Sequence, residues 1–165
     1  MTILASAALW FLPFAAPICL WVAFNDMKFM KIPNLAVMAL LIVYLVVGLI
    51  ALPFSDYVWQ LIHVPVVLVI GFVANMLRLM GAGDAKFLTA MSPFVPLADA
   101  QIMVFLFAAT LLAAFTTHRI ARALPFIRRM TPEWQSWQRG DFPMGLALGG
   151  VMILYLVLGS LYGSA

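Results

Sequence analysis

The chain has 165 residues, of which 66% are apolar and 9% are charged, and its mean hydropathy is +1.11. Because about a quarter of the residues in a water-soluble domain are charged, this composition excludes an ordinary soluble fold. The net charge of +3 does not indicate nucleic-acid binding, since the nine Lys and Arg residues are confined to three separate segments.

Uncharged stretches define the predicted membrane spans. Five of them contain no Asp, Glu, Lys or Arg: residues 3–24, 32–55, 57–77, 100–117 and 142–165. Each approaches the ~20 residues that a helix needs to cross the hydrocarbon core. The first is predicted to be a retained span rather than a secretory signal, because no positive charge precedes it. A single cysteine, Cys19, excludes an intramolecular disulfide and is predicted to be a packing residue.

The region between the third and last spans is predicted to cross the membrane twice. Its flanking segments, 78–86 and 118–141, are both basic, so the chain between them should make an even number of crossings. Prolines at 93 and 96 divide this region into a short fourth helix, roughly 85–96, and a fifth, roughly 99–120. A re-entrant hairpin satisfies the same requirement. The predicted fold is therefore an all-α polytopic membrane protein with about six transmembrane helices, the fourth short or re-entrant.

The distribution of charge predicts the orientation. Positive residues lie only in three segments: Lys28 and Lys31, Arg78 and Lys86, and five arginines within 118–141. The alternate loops carry Asp56 and Asp99 and no positive charge. Because basic loops stay in the cytoplasm, both termini are predicted to be periplasmic. We expect one membrane-embedded domain over residues 1–165, in which 118–141 is a cytoplasmic basic loop at the membrane interface.

Two carboxylates are the candidate catalytic groups. Asp26 ends the first span and Asp84 begins the fourth, so the topology places both at one depth on one side. Two carboxylates in close proximity share a proton, and one can activate a water while the other polarises a peptide carbonyl. This pattern predicts an aspartyl protease. Alternatively, both could be ordinary interfacial charges near Lys28 and Lys86, with Asp84 capping a helix.

The local sequence around Asp84 is rich in glycine. Gly81 and Gly83 precede it, and they would permit a positive φ angle and a close backbone approach. Helix dipoles predict that Asp84, at a helix N-terminus, is mostly ionised and that Asp26, at a C-terminus, is mostly protonated.

Other chemistries find less support. His63 lies in the third span, some 20 Å of helix rise from the predicted cytoplasmic side, and His118 is predicted to be interfacial. No zinc ligand set, P-loop or dinucleotide fingerprint is present, so neither a metal nor a cofactor is predicted. The main alternative is a transport or scaffold protein in which the same aspartates bind protons or cations. Such proteins usually carry an ionisable residue at mid-membrane, and here only His63 is moderately deep.

Three segments together resemble the type IV prepilin peptidases. They are Asp26-Met27-Lys28-Phe29-Met30-Lys31-Ile32-Pro33-Asn34, Gly81-Ala82-Gly83-Asp84-Ala85-Lys86 and Phe142-Pro143-Met144-Gly145. In the third, Met144 replaces the usual aromatic residue. The resemblance implies that Asp26 and Asp84 are catalytic. It also implies a supporting motif of Gly81, Gly83, Lys86, Pro33, Asn34, Pro143 and Gly145. A relationship to the intramembrane Gly-x-Gly-Asp proteases is disfavoured, because no Pro-Ala-Leu segment occurs.

The resemblance also implies a substrate and a location. Family members remove basic leaders from prepilins and pseudopilins at the cytoplasmic face of the bacterial inner membrane. The larger members carry an N-terminal extension with paired cysteines and methylate the new N-terminus. The chain lacks that extension, so it resembles the small TadV/CpaA-like branch that serves Flp (tight-adherence) pili and is expected to cleave without methylating. The expected partners are a prepilin or pseudopilin and the lipid bilayer, without nucleic acid; the oligomeric state is not indicated.

Overall fold

The computed structural model describes the whole chain, from Met1 to Ala165. It contains nine α-helices, two 3₁₀ turns and no β-sheet. The α-helices are α1 (Ala5–Phe29), α2 (Asn34–Ala51), α3 (Phe54–Leu61), α4 (His63–Met76), α5 (Ala82–Met91), α6 (Ala100–Ala123), α7 (Pro125–Met130), α8 (Gln135–Gln138) and α9 (Met144–Tyr162). The 3₁₀ turns are Ser92–Phe94 and Leu97–Asp99.

Five helical segments are long and apolar enough to cross a membrane: Ala5–Phe29, Asn34–Ala51, Phe54–Met76, Leu97–Ala123 and Met144–Tyr162. Their outward-facing side chains are large and apolar. Ile50, Phe105 and Leu112, for example, are 70%, 66% and 68% exposed. A protein in water rarely exposes so much contiguous apolar surface, whereas hydrocarbon solvates it without cost. The predicted all-α, polytopic membrane fold is confirmed.

The fourth segment is shorter than a membrane span. The helix α5 has ten residues and rises about 15 Å, half of the ~30 Å hydrocarbon core. It ends at Met91, five residues before the predicted boundary, because Pro93 and Pro96 follow and break the chain into two 3₁₀ turns. The prediction of a short fourth element is therefore correct in kind, and the helix itself is shorter than expected.

The broken segment nevertheless carries the chain from one end of the molecule to the other. Asp84 lies at the same end as Asp26. At the other end, the Asp99 carboxylate accepts hydrogen bonds from the backbone N–H groups of Thr2 and Ile3, at 2.7 and 3.0 Å. The sequence gave no sign that Asp99 is completely buried; it had marked an outer loop.

Small residues allow α1 and α9 to pack closely in antiparallel fashion. The added Cβ of an alanine at Gly149 would lie 2.5 Å from the Cys19 carbonyl oxygen, so only glycine fits there. Close approach through small residues is the usual way in which membrane helices associate. Cys19 is completely buried in this interface, as predicted for a packing residue.

Both termini lie at one end of this helix pair. The Ala5 N–H donates to the Ser164 carbonyl and the Ser164 N–H donates to the Ile3 carbonyl, each at 2.9 Å. Asp26 lies 21 residues further along α1, roughly 32 Å of helix rise away. The chain therefore ends on the side where it begins, opposite the two aspartates. Which side of the membrane that is remains a prediction.

The segment 118–141 is more ordered than the predicted loop. Its first six residues continue α6 as far as Ala123, and α7 and α8 follow. His118 is 2% exposed and stacks on Trp137, with ring centroids 5.1 Å apart, so the expectation of an interfacial histidine is wrong. The Trp137 indole N–H donates to Thr131, which holds the segment in a compact turn. This packing fixes the course of the chain into α9.

Candidate active site

Asp26 is held in the last turn of α1 by the start of α9. The helix ends at Phe29 because Met30 adopts a left-handed conformation (φ 52°), and its N–H donates to the Asp26 carbonyl. The side chain is 6% exposed, and its Oδ2 accepts a hydrogen bond from the Gly145 N–H at 2.7 Å. Since Gly145 lies in the first turn of α9, this N–H is one of those that a helix leaves unpaired. The third sequence motif thus contacts the first.

Asp84 lies in the first turn of α5 and folds back onto the preceding glycine. Its Oδ2 accepts a hydrogen bond from the Gly81 N–H at 3.2 Å. Gly81 has a φ of −69°, and no glycine in the chain has a positive φ, so that expectation is wrong. The expected close approach is present: a Cβ at Gly81 would lie 2.7 Å from Asp84 Oδ2. The positive-φ positions are Met30 and Arg78 instead.

The other supporting residues join the first two motifs. Lys86 Nζ donates to Asn34 Oδ1 at 3.2 Å, which links α5 to the start of α2. Pro33 occupies the position before α2, as Pro143 does before α9. Gly83 faces Ile32, and an added Cβ would meet it at an ordinary 3.4 Å. All three motifs therefore lie around one end of the molecule.

Both carboxylates line one open cavity of about 720 Å³. The charged residues in its lining are Asp26, Asp84, Asp141, Lys31, Arg78, Lys86 and Arg139. Arg139 and Asp141 form an exposed ion pair at 3.0 Å. Neither was a candidate from the sequence, although both directly precede the Phe142-Pro143 motif. The cavity is wide enough for an extended peptide segment and carries both signs of charge.

The two carboxylates interact electrostatically. Burial, and then the negative charge of Asp26, raise the pKa of Asp84 to about 6, while the Gly81 N–H opposes the shift. The helix-dipole argument favoured the opposite direction; burial and the neighbouring carboxylate outweigh the helix end. A carboxyl group with such a pKa can hold or release a proton near neutral pH.

In each carboxylate, Oδ2 accepts a backbone N–H, while Oδ1 has no hydrogen-bond partner in the chain. Neither His63 nor His118 lines the cavity. No group of three His, Cys, Asp or Glu side chains converges anywhere to hold a metal ion. The arrangement can polarise a carbonyl and accept a proton with carboxylates alone.

A family model described as the type IV leader peptidase family matches residues 13–118, which are 106 of the 165 residues. The chain belongs to the type IV leader peptidase family. Membership makes the protein a membrane-embedded peptidase, and the matched region contains both aspartates. Pro143 and Gly145 lie beyond it, and the hydrogen bond to Asp26 connects them to the matched part of this leader peptidase. No curated protein and no solved structure matches the chain.

Proposed function

We propose that the protein is an aspartyl endopeptidase that removes the leader peptides of prepilins or pseudopilins, with Asp26 and Asp84 as its catalytic pair. The observation that carries the proposal is their convergence. They are 58 residues apart in the sequence, yet line one cavity closely enough for the Asp26 charge to raise the pKa of Asp84. Family membership supplies the reaction, and this pair is the arrangement best suited to it.

The proposed chemistry uses the unpartnered oxygens of the pair. One carboxylate takes a proton from a water molecule, and the water oxygen attacks the scissile carbonyl carbon. The other, protonated carboxyl donates its proton to the carbonyl oxygen. When the tetrahedral intermediate collapses, the C–N bond breaks and the leaving amine receives a proton from the pair. The N–H groups of Gly145 and Gly81 orient Asp26 and Asp84 by holding Oδ2 of each.

We place this site at the cytoplasmic face of the inner membrane, with both termini periplasmic. Four basic residues line the cavity (Lys31, Arg78, Lys86 and Arg139), and positive residues favour the cytoplasmic side. We propose a single domain over residues 1–165, within which 118–141 is a basic cytoplasmic segment at the membrane interface. Labelling of single cysteines introduced at Ser164 and at Gly140 with a membrane-impermeant thiol reagent tests this orientation. In spheroplasts, we expect only the cysteine at 164 to react.

Substitution of the carboxylates tests the catalytic assignment. Asp26→Asn and Asp84→Asn should each abolish cleavage of a prepilin in liposomes, because an amide cannot take a proton from water at neutral pH. Asp141→Asn is the matched control: it removes a third carboxylate from the same cavity, but this one is exposed and paired with Arg139. It should retain cleavage. Full processing by either Asp26→Asn or Asp84→Asn would falsify the assignment.

The same assay separates the peptidase from a proton- or cation-binding transport protein. A transporter would leave the prepilin intact while its carboxylates still titrated. Mass spectrometry of the product tests the narrower proposal that this is a TadV/CpaA-like enzyme of Flp pili without methyltransferase activity. With a methyl donor present, the new N-terminus should have the unmodified mass.

A further inference from the structure

A second cavity, of about 340 Å³, opens between α4 and the start of α6. The helix α5 and the 3₁₀ turn after it form its floor, and α4 and the first turn of α6 form its walls. We refer to it as the lateral groove, defined by Val66, Ile70, Leu88, Val95, Ala100 and Met103. Its lining is apolar apart from His63 and Ser92.

The lateral groove continues the face of α5 that carries Asp84. Asp84, Leu88, Ser92 and Val95 follow one another at intervals of four, four and three residues, which places them along one side of a helix. All four are partly exposed, whereas Phe87 and its neighbours on the other side are buried in the core. An elongated ligand that reached Asp84 along this side of α5 would lie in the groove.

No helix of the chain covers this surface. The main partner of α4 is α5, and that of α6 is α9, so α4 and α6 flank the groove without closing it. Val66 and Ile70 are 51% and 61% exposed, and both belong to a segment long and apolar enough to span the membrane. The groove therefore opens sideways towards lipid, at the depth where an apolar helix would lie.

We propose that the lateral groove binds the apolar helix that follows the scissile bond in the substrate. The inference rests on the proposed function, because it takes Asp84 as the position of that bond. The continuity of the groove with Asp84 favours a peptide helix over a lipid chain, since the occupant must extend into the cavity where cleavage occurs. A free lipid would have no reason to share that register.

The packing of α4 against α5 fixes the register. A Cβ at Gly71 would lie 3.0 Å from the Ala85 Cβ, and His63 Nδ1 lies 3.4 Å from the Ser92 carbonyl, so the two helices are antiparallel. Val66 is five residues before Gly71 and therefore level with residue 90, roughly 9 Å beyond Asp84. We expect it to contact about the sixth substrate residue after the cut, because an α-helix rises ~1.5 Å per residue.

Disulfide cross-linking tests the proposal. The probe is a synthetic peptide with a basic leader, a glycine at the cut, an uncharged Leu/Ala helix of about 20 residues, and a single cysteine six residues after the cut. The protein carries Cys19→Ala, Asp84→Asn to prevent cleavage, and either Val66→Cys or Leu68→Cys. Val66 and Leu68 are 51% and 49% exposed, but 200° apart on α4, so Leu68 is a control of equal accessibility outside the groove.

The proposal expects Val66→Cys to cross-link at least about tenfold faster than Leu68→Cys, because binding raises the local thiol concentration. An excess of cysteine-free peptide should abolish the difference. Equal rates at the two positions, or a Val66→Cys rate that the competitor leaves unchanged, would overturn it; the latter result would indicate a groove filled by lipid.

Cleavage of the same probe by the protein with Asp84 intact separates this inference from the proposed function. Cleavage together with equal cross-linking at the two positions would remove the groove and leave the peptidase assignment standing. Preferential cross-linking without any cleavage would leave a site for an apolar helix and contradict the peptidase assignment.

A second pair of variants tests the groove in the active enzyme. Val66→Trp fills the groove and should raise KM about tenfold with kcat nearly unchanged, because it removes binding energy common to the ground state and the transition state. Leu68→Trp, which adds the same bulk on the lipid side, should leave KM within about twofold. An unchanged KM in Val66→Trp would contradict the proposal.

Discussion

Alanine at Gly145 should disable the enzyme by displacing Asp26. The new Cβ would lie 2.8 Å from the Asp26 Cβ and 3.0 Å from its Oδ2, whereas ordinary contact begins at 3.4 Å. The carboxylate must therefore move away by about 0.6 Å or more. That movement also lengthens the 2.7 Å hydrogen bond from the Gly145 N–H, which orients the side chain.

The size of the effect follows from this displacement. Misplacing a reacting group by ~1 Å costs about 100-fold in rate. A hydrogen bond to a charged group contributes about 1.5–3 kcal/mol. We therefore expect kcat/KM for prepilin cleavage to fall between about 10- and 100-fold in Gly145→Ala. Thermal unfolding should change less, because overpacking at one buried position costs about 1–3 kcal/mol.

The assay is prepilin cleavage in proteoliposomes, normalised to the amount of folded protein. Gly140→Ala is the control: it lies in the same connecting segment, but its added Cβ meets no atom within 4 Å, so cleavage should match that of the unchanged protein. A Gly145→Ala enzyme with unaltered kcat/KM would show that the contact between α9 and Asp26 has no role in catalysis.

Three further predictions concern other carboxylates and glycines. Asp99→Asn should lower the free energy of unfolding by about 2 kcal/mol, since the carboxylate accepts two backbone N–H bonds and one from the Tyr155 hydroxyl; thermal unfolding in detergent measures this. The pKa of Asp84 is raised in the folded state to about 6, so its ionisation destabilises the fold as pH rises from 4 through 6. Asp84→Asn should therefore be more stable than the unchanged protein at pH 8, with the difference gone below about pH 4, and an advantage that persisted in acid would contradict this. Gly81→Ala should reduce cleavage about tenfold or more, because its Cβ would meet the Asp84 carboxylate at 2.7 Å, whereas Gly83→Ala meets only ordinary contacts and should retain most activity; equal activities would refute the distinction.

The sequence predicted the class of fold and the position of the candidate pair because both depend on local hydrophobicity. A run of apolar residues long enough to cross the membrane forms a helix whatever surrounds it, since the bilayer leaves backbone groups no other partner. Counting such runs was enough to place Asp26 and Asp84 at one end of the molecule. The length of α5 was harder to predict, because two prolines disrupt the helix while tertiary packing carries the chain onward.

The contacts that complete the site depend on distant parts of the chain. Gly145 reaches Asp26 from 119 residues away, and Asp99 is buried because Thr2 and Ile3 supply its hydrogen bonds. His118 looked interfacial from its basic neighbours, yet Trp137 covers it. No periodicity or local composition encodes these pairings.

The amino-acid sequence by itself determined that this is a helical membrane protein, which parts are buried in lipid, and which acidic residues share a level. Those properties follow from the transfer of each segment between water and hydrocarbon, which is nearly additive along the chain. The tertiary structure decided which backbone N–H groups hold each carboxylate, the raised pKa of Asp84, and the open groove beside α5. These depend on how helices pack in three dimensions, where a separation of a few ångströms sets the energy and no single segment contains the information.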